Sequence, residues 1–100
     1  MLTCSVRADR TDSMAVLGIR AHVRDNVAVV AADVQAGDVV RLADGSELRA
    51  VEAIPRGSKV ALDPIACGQA VVRYGEEIGR ATKDIAAGEY VHTHNLAGKR

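Results

Sequence analysis

The chain contains no Phe and no Trp, and only two Tyr, two Pro and two Cys. Without large aromatics its core must be built from Val, Ala, Leu and Ile. These side chains fill narrow spaces between packed strands but do not line a deep aromatic pocket, so a large enclosed active site is not expected within this chain alone. No charge of one sign dominates: 13 basic and 13 acidic residues cancel and are interspersed. With no basic run and no aromatic platform, nucleic-acid binding has no support. There is no long apolar run either. The longest, Val27 to Ala32, falls far short of the roughly 20 residues that a membrane span needs. Arg7, Asp9, Arg10 and Asp12 interrupt any signal-peptide core. No membrane role is expected, and cytoplasmic residence is the default. Cys4 and Cys67 are expected there as reduced thiols rather than as a disulfide.

One hundred residues fit one domain with a shallow core. Residues 1–13 show neither helical nor strand period and read as a disordered lead. Met14 stands where the folded unit would begin, residues 14–97 form the domain, and residues 98–100 form a tail.

Four segments share one pattern: an aliphatic residue, Gly three positions on, Val three further. They are Val34–Gly37 with Val40, Ile54–Gly57 with Val60, Ile65–Gly68 with Val71, and Ile85–Gly88 with Val91. Their starts lie 20, 11 and 20 residues apart. That symmetric spacing predicts two similar halves related by a pseudo-twofold axis, not a solenoid. Each unit reads as a turn, where Gly supplies a positive φ, feeding a strand whose first Val points inward. Pro55 and Pro64 belong at turns or edges.

Alternation of Leu17, Ile19, Ala21 and Val23 with Gly18, Arg20, His22 and Arg24 predicts a strand whose aliphatic set faces the core. Asp44-Gly45, between Val39–Leu42 and Leu48–Val51, predicts a hairpin with a primed turn. Further strands are expected near 27–31, 59–62, 70–73, 79–81 and 90–95. Residues 27–36 are Ala-rich and could supply a short helix. The fold class is therefore all-β, with one or two helical turns at most. Tyr74-Gly75 reads as a turn, with Tyr74 packing on the core. Cys67 carries no assigned chemistry.

In a strand, residues two apart share a face, so His92 and His94 are expected to project together beside Tyr90. Two imidazoles at this spacing can reach one metal ion or one carboxylate. A catalytic metal site wants about three protein ligands, so the remainder would come from Asn95, His22, an acidic residue or another subunit. Lys59 follows a Pro-Gly turn and could hold a substrate carboxylate as a point charge. The alternatives are solvated side chains for Lys59, His22 and the histidine pair.

Four motifs occur in order: His22–Val29, Ile54–Leu62, Val72–Ala81 and Ile85–Asn95. Together they resemble the SAF-type small domain of the altronate and galactarate dehydratase (UxaA-like) family, over about residues 15–96. The resemblance implies a β-clip fold and a small subunit, or N-terminal domain, of a hydro-lyase acting on sugar acids. A separate large catalytic subunit would complete the site, with a divalent metal, typically iron. It implies catalytic or metal-binding roles for His92 and His94, and substrate-binding roles for Lys59, Asn95 and His22. A (2R)-sulfolactate sulfo-lyase-like small subunit is the close alternative, and a non-catalytic carbohydrate- or protein-binding β-clip is the distant one. Assembly of several copies is compatible with either. In the third motif the family usually reads Ile-Pro-x-Gly-His-Lys. Here Ser58 stands in place of that His, so no histidine role transfers to that position.

Overall fold

A computed structural model describes residues 15–98, and the expected lead over 1–13 lies outside them. Among the described residues there are nine strands and no helix. They are β1 (Val16–Ile19), β2 (Val27–Val30), β3 (Val39–Leu42), β4 (Glu47–Arg49), β5 (Lys59–Ala61), β6 (Ala70–Arg73), β7 (Glu76–Ala81), β8 (Tyr90–Val91) and β9 (Leu96–Gly98). Six form one sheet in the order β4-β3-β1-β2-β5-β8, and three form a second in the order β6-β7-β9. All neighbours are antiparallel except β1 and β3. This all-β architecture is consistent with a β-clip. Gly98 ends β9, so the structured chain reaches one residue into the expected tail.

The four repeated units pair off. Val34 bridges Ile54, and Ile65 bridges Ile85, both antiparallel. In every unit the glycine lies at a φ of 81–93°, a conformation that Gly adopts without steric cost. Each turn aims the glycine N–H at a carbonyl just before the partner unit. Gly37 donates to Ala50, Gly57 to Val30, Gly68 to Ala81 and Gly88 to Ala61, at 2.8–2.9 Å. Asp33 accepts the Arg56 N–H and Asp84 the Cys67 N–H, tying each pair together a second time.

Each pair encloses its own core. Val30, Val34, Val40, Ala50, Ile54 and Val60 belong to the first. Ala61, Ile65, Val71, Ala81, Ile85 and Val91 belong to the second. One constant shift along the chain carries the first set onto the second, residue by residue. It also carries Arg49, which donates to the Gly37 carbonyl, onto Arg80, which donates to that of Gly68. The two halves are thus structural copies. Burying aliphatic side chains at about 25 cal/mol per Å² supplies most of the stability in each.

Several expectations are corrected. Residues 27–30 are strand, not helix, because Val27 and Val30 are buried on opposite faces, in different cores. The first strand stops at Ile19, and its phase is inverted. Gly18 is buried, whereas Leu17 and Ile19 are each 52% exposed. A side chain at Gly18 would collide with Val40 and Leu42, so the residue without one faces the core. The Asp44-Gly45 hairpin forms, but only Gly45 has positive φ. Leu42 and Ser46 close a three-residue loop, the arrangement of a type I turn followed by a left-handed Gly. The two-residue turn with both φ values positive is Tyr74-Gly75 instead, at 58° and 76°. Tyr74 is 62% exposed and does not pack on the core. Residues 92–95 form a turn between β8 and β9 rather than a continuing strand.

Gly79 on β7 lies directly under the Ala97 backbone carbonyl and the Leu96 side chain of β9. Because the obstacle is backbone, it cannot rotate away. Gly79→Ala is expected to cost about 1–3 kcal/mol in urea unfolding and to accelerate amide hydrogen exchange along β9 first.

Candidate functional site

The β8–β9 turn is built around a buried amide. Asn95 is 1% exposed. Its Oδ1 accepts the His92 N–H at 2.9 Å, and its Nδ2 donates to the Tyr90 carbonyl at 2.8 Å. The Asn95 N–H returns to the His92 carbonyl. All of these groups are satisfied within the turn, so Asn95 shapes the loop that carries the histidines. The Tyr90 ring lies between them: stacked on His92 at 5.4 Å between centroids and 9° between planes, and tilted against His94 at 5.5 Å. The rings meet through a turn that wraps around Tyr90, not through strand alternation.

His94 and Asn95 border an open cleft of about 390 Å³, whose other walls are Val51, Glu52, Lys83, Asp84 and Glu89. Glu52 crosses from the first half and accepts the Tyr90 N–H at 3.0 Å. The cleft therefore sits where the halves meet. With three carboxylates and one lysine it disfavours an anionic group, but it offers acceptors for hydroxyl groups. Glu52, Lys83 and Asp84 lie outside the four motifs, and nothing in the sequence sets Glu89 apart within the last of them. The β7–β9 pairing, continued by the bond from the Thr82 N–H to the Asn95 carbonyl, brings Lys83 and Asp84 to His94, Glu52 is held there by the Tyr90 N–H, and Glu89 directly precedes β8.

Lys59 is not part of this cluster. It is opposite Val91 in the β5–β8 register, while Val60 is opposite Tyr90. Alternation places Lys59 on the sheet face away from the Tyr90 ring. Lys59 is half-buried, and that desolvation, with the nearby charge of Arg73, holds its ammonium below the usual lysine range.

His22 is also elsewhere. It starts a turn of the same design as the one at His92: its N–H donates to Asp25 Oδ2 at 3.1 Å, and the Asp25 N–H returns to its carbonyl. Asp25 takes the place that Asn95 has in the other turn, and the difference has a cause. Asp25 Oδ1 also accepts the Gly75 N–H at 2.8 Å, so both oxygens face donors, whereas Asn95 must both accept and donate. Burial alone would raise the Asp25 carboxyl. The amides of Gly75, Tyr74, His22 and Ala21 outweigh it and hold the group below the usual carboxylate range. The His22 ring packs against Gly75, and its Nδ1 accepts the Arg24 N–H at 3.0 Å. That leaves Nε2 as the nitrogen carrying the proton in the neutral ring.

Among the described residues no three His, Cys, Asp or Glu side chains converge to hold a metal ion. The metal expected from the family resemblance therefore does not fit the donors of this chain by themselves. His92 and His94, both turned onto Tyr90, offer two ligands at most.

A family model described as the altronate/galactarate dehydratase SAF domain matches residues 16–99. The chain is 46% identical over 77 residues to the altronate dehydratase of Escherichia coli (strain K12), covering 77% of this chain and 15% of that protein. It is 41% identical over 73 residues to the galactarate dehydratase (L-threo-forming) of the same organism, covering 73% of this chain and 14% of that protein. It is 44% identical over 59 residues to the (2R)-sulfolactate sulfo-lyase subunit alpha of Paracoccus pantotrophus, covering 57% of this chain and 88% of that protein. The chain thus spans a small part of the length of the two dehydratases and most of the length of the lyase subunit.

Asp25→Asn is expected to lower stability at pH 7 by about 1–3 kcal/mol, because an amide nitrogen would face a backbone N–H. A carboxyl whose folded pKa is depressed stabilises the fold above its unfolded value of about 3.9 and loses that contribution as pH falls through the folded pKa. Urea unfolding should therefore show the gap between wild type and Asp25→Asn narrowing below about pH 4.

Proposed function

Because the chain belongs to the altronate/galactarate dehydratase SAF-domain family, we propose that it is the small unit of a hydroxy-acid lyase of the altronate dehydratase type. A separate large catalytic subunit completes its site. The observation that carries this reading is the pair of coverages: the same unit is a minor part of two long dehydratases and nearly the whole of a short lyase subunit. Cytoplasmic residence belongs to the same reading.

The reaction is β-elimination beside a carboxylate. A base takes the α-proton, and an acid assists the departing hydroxide. His92 and His94 supply these functions or position the substrate from the lip of the cleft. Asn95 and Tyr90 hold the two rings in place. Glu52, Asp84 and Glu89 accept hydroxyl groups of a polyhydroxylated acid. They are poorly suited to its carboxylate, which the large subunit would anchor on this side. The iron expected in the assembled enzyme would draw most of its ligands from that subunit. A sulfo-lyase, in which sulfite departs instead of hydroxide, is the second reading. It is favoured by the 88% coverage of the sulfolactate lyase subunit.

The test is reconstitution. The purified chain should be inactive alone on altronate, galactarate and sulfolactate, and should gain dehydratase activity when mixed with a large chain that co-purifies with it from the native cell. The double variant His92→Ala/His94→Ala should lower turnover in the reconstituted enzyme by about 10²–10⁴-fold with an unchanged unfolding curve. Full activity in that variant would sink the site assignment, and sulfite release in place of dehydration would select the second reading.

A further inference from the structure

A sheet face that meets water turns apolar side chains inward and polar ones outward. In the six-stranded sheet β4 obeys that rule: Leu48 packs on the first core, and Glu47 and Arg49 are exposed. β1 and β2 break it. Gly18, Ala28 and Val30 turn inward, which leaves Leu17, Ile19 and Val29 on the outer face. Ile19 is opposite Val29, and Leu17 is opposite Arg41. Two residues away on β2, Val27 turns the same way as Val29 but is buried in the second core with Ala61 and Val91. The second sheet thus covers one end of the outer face. The other end is bare, with Leu17 and Ile19 each 52% exposed.

The bare strip ends in a hollow of about 110 Å³, bordered by Ile19, Val29, Arg73 and Tyr74. Tyr74 is 62% exposed and takes a φ of 58°, a conformation that costs a non-Gly residue free energy and that clusters at functional positions. Arg73 lies 4.7 Å over its ring and donates to its hydroxyl at 3.2 Å. Lys59 is opposite Val29 in the strand register, close enough for the charge of Arg73 to disfavour its ammonium. Neither cation has an ion-pair partner among the described residues, whose pairs are Arg41–Glu47 and Arg80–Glu77. Asp25 also borders the hollow, but both of its oxygens accept backbone N–H groups. Glu76 is opposite Arg73 across β6 and β7 and does not pair with it.

We propose that this face, from Leu17 through Ile19 and Val29 to Arg73 and Tyr74, docks the large catalytic chain through aliphatic side chains bordered by Asp or Glu carboxylates. The identity of the occupant rests on the lyase reading, whereas the face stands on this chain's own residues. Charge selects a different chain over a second copy. On the outer face of β3 and β4 a second copy would offer the cations only Glu47, which Arg41 already holds at 2.7 Å. A unit that is both a small part of a long dehydratase and nearly all of a short lyase subunit must be held by surface contacts, not by a peptide link alone. Tyr and Arg side chains carry a large share of the binding energy at protein interfaces. Arg73 and Tyr74 already order each other, so little freedom is lost when they are covered. The face lies on the other side of the sheet from the Tyr90 ring, so it holds the partner without taking part in the reaction.

The experiment takes the full chain and the large chain that co-purifies with it from the native cell. Affinity is read by titration, and turnover is read with the large chain saturating. Leu17→Asp and Arg73→Glu should each raise Kd by roughly tenfold or more, with turnover at saturation and the unfolding curve both as in wild type. Methyl signals of Leu17, Ile19 and Val29 should shift in the complex, which tests the face without any substitution. Unmoved methyls, or wild-type affinity in both folded variants, within an active complex would overturn the face and leave the lyase reading standing. If no large chain co-purifies, that reading fails and the inference falls with it. Self-association of the chain alone, with the same methyls shifting as its concentration rises, would overturn the inference in favour of a second copy. Binding to anionic phospholipid vesicles that Arg73→Glu abolishes would overturn it in favour of a lipid surface.

Discussion

Gly37, Gly57, Gly68 and Gly88 each turn the chain at positive φ, and each donates its N–H across to the strand leading into the paired unit. The fold depends on that crossed brace. With only Val, Ile, Leu and Ala to bury, neither half gains enough from any single side chain to fix its own geometry. The brace supplies it, by setting the distance between units at which Val34 meets Ile54 and Ile65 meets Ile85. All four of these aliphatics are nearly inaccessible to solvent. The aspartates at 33 and 84 then close the same pairs a second time from outside.

The two loops that carry histidines use one device with two residues. A side chain three positions after the histidine folds back on its N–H, and the choice of Asp25 or Asn95 follows from what the second atom meets. Facing the Gly75 N–H, it must be an oxygen; facing the Tyr90 carbonyl, it must be an N–H. Loop shape is therefore decided by buried backbone groups that need partners. The histidine rings are held by aromatic or glycine neighbours outside the loop. This divides labour between the buried polar residue, which fixes the turn, and the exposed ring, which remains free to meet a substrate or a partner.

Much of this is legible in the sequence. The aliphatic-x-x-Gly spacing identified the units and their pairing symmetry, because a period survives any error about which face is inward. What the spacing could not reveal was phase. Leu17 and Ile19 look like core residues and Gly18 looks like a spacer. The close approach of Val40 and Leu42 reverses the assignment, and such an approach is a tertiary fact. His92 and His94 were singled out by spacing, yet the reason they share the Tyr90 ring is a turn held by Asn95. The family resemblance gives Lys59 a substrate-binding role beside the histidines, but a register of one residue sends it to the other face.

The superposition of the two halves indicates where chemistry can arise in a fold so short of aromatics and volume. A duplicated all-β fold buries the same aliphatic positions twice, and those positions tolerate little change because each is part of a closed core. Departures accumulate where the copies differ in what surrounds them. In the first half β1 pairs with both β2 and β3, whereas β2, in the equivalent place against β5, meets β6 through the Asn26 bonds to Ala70 and Val72. The histidines occupy a comparable departure, the turn in which the second copy ends: Lys59 to Ala61 continues β5, whereas the corresponding chain leaves β8 after Val91. Symmetry builds the scaffold, and polar function sits where the symmetry stops.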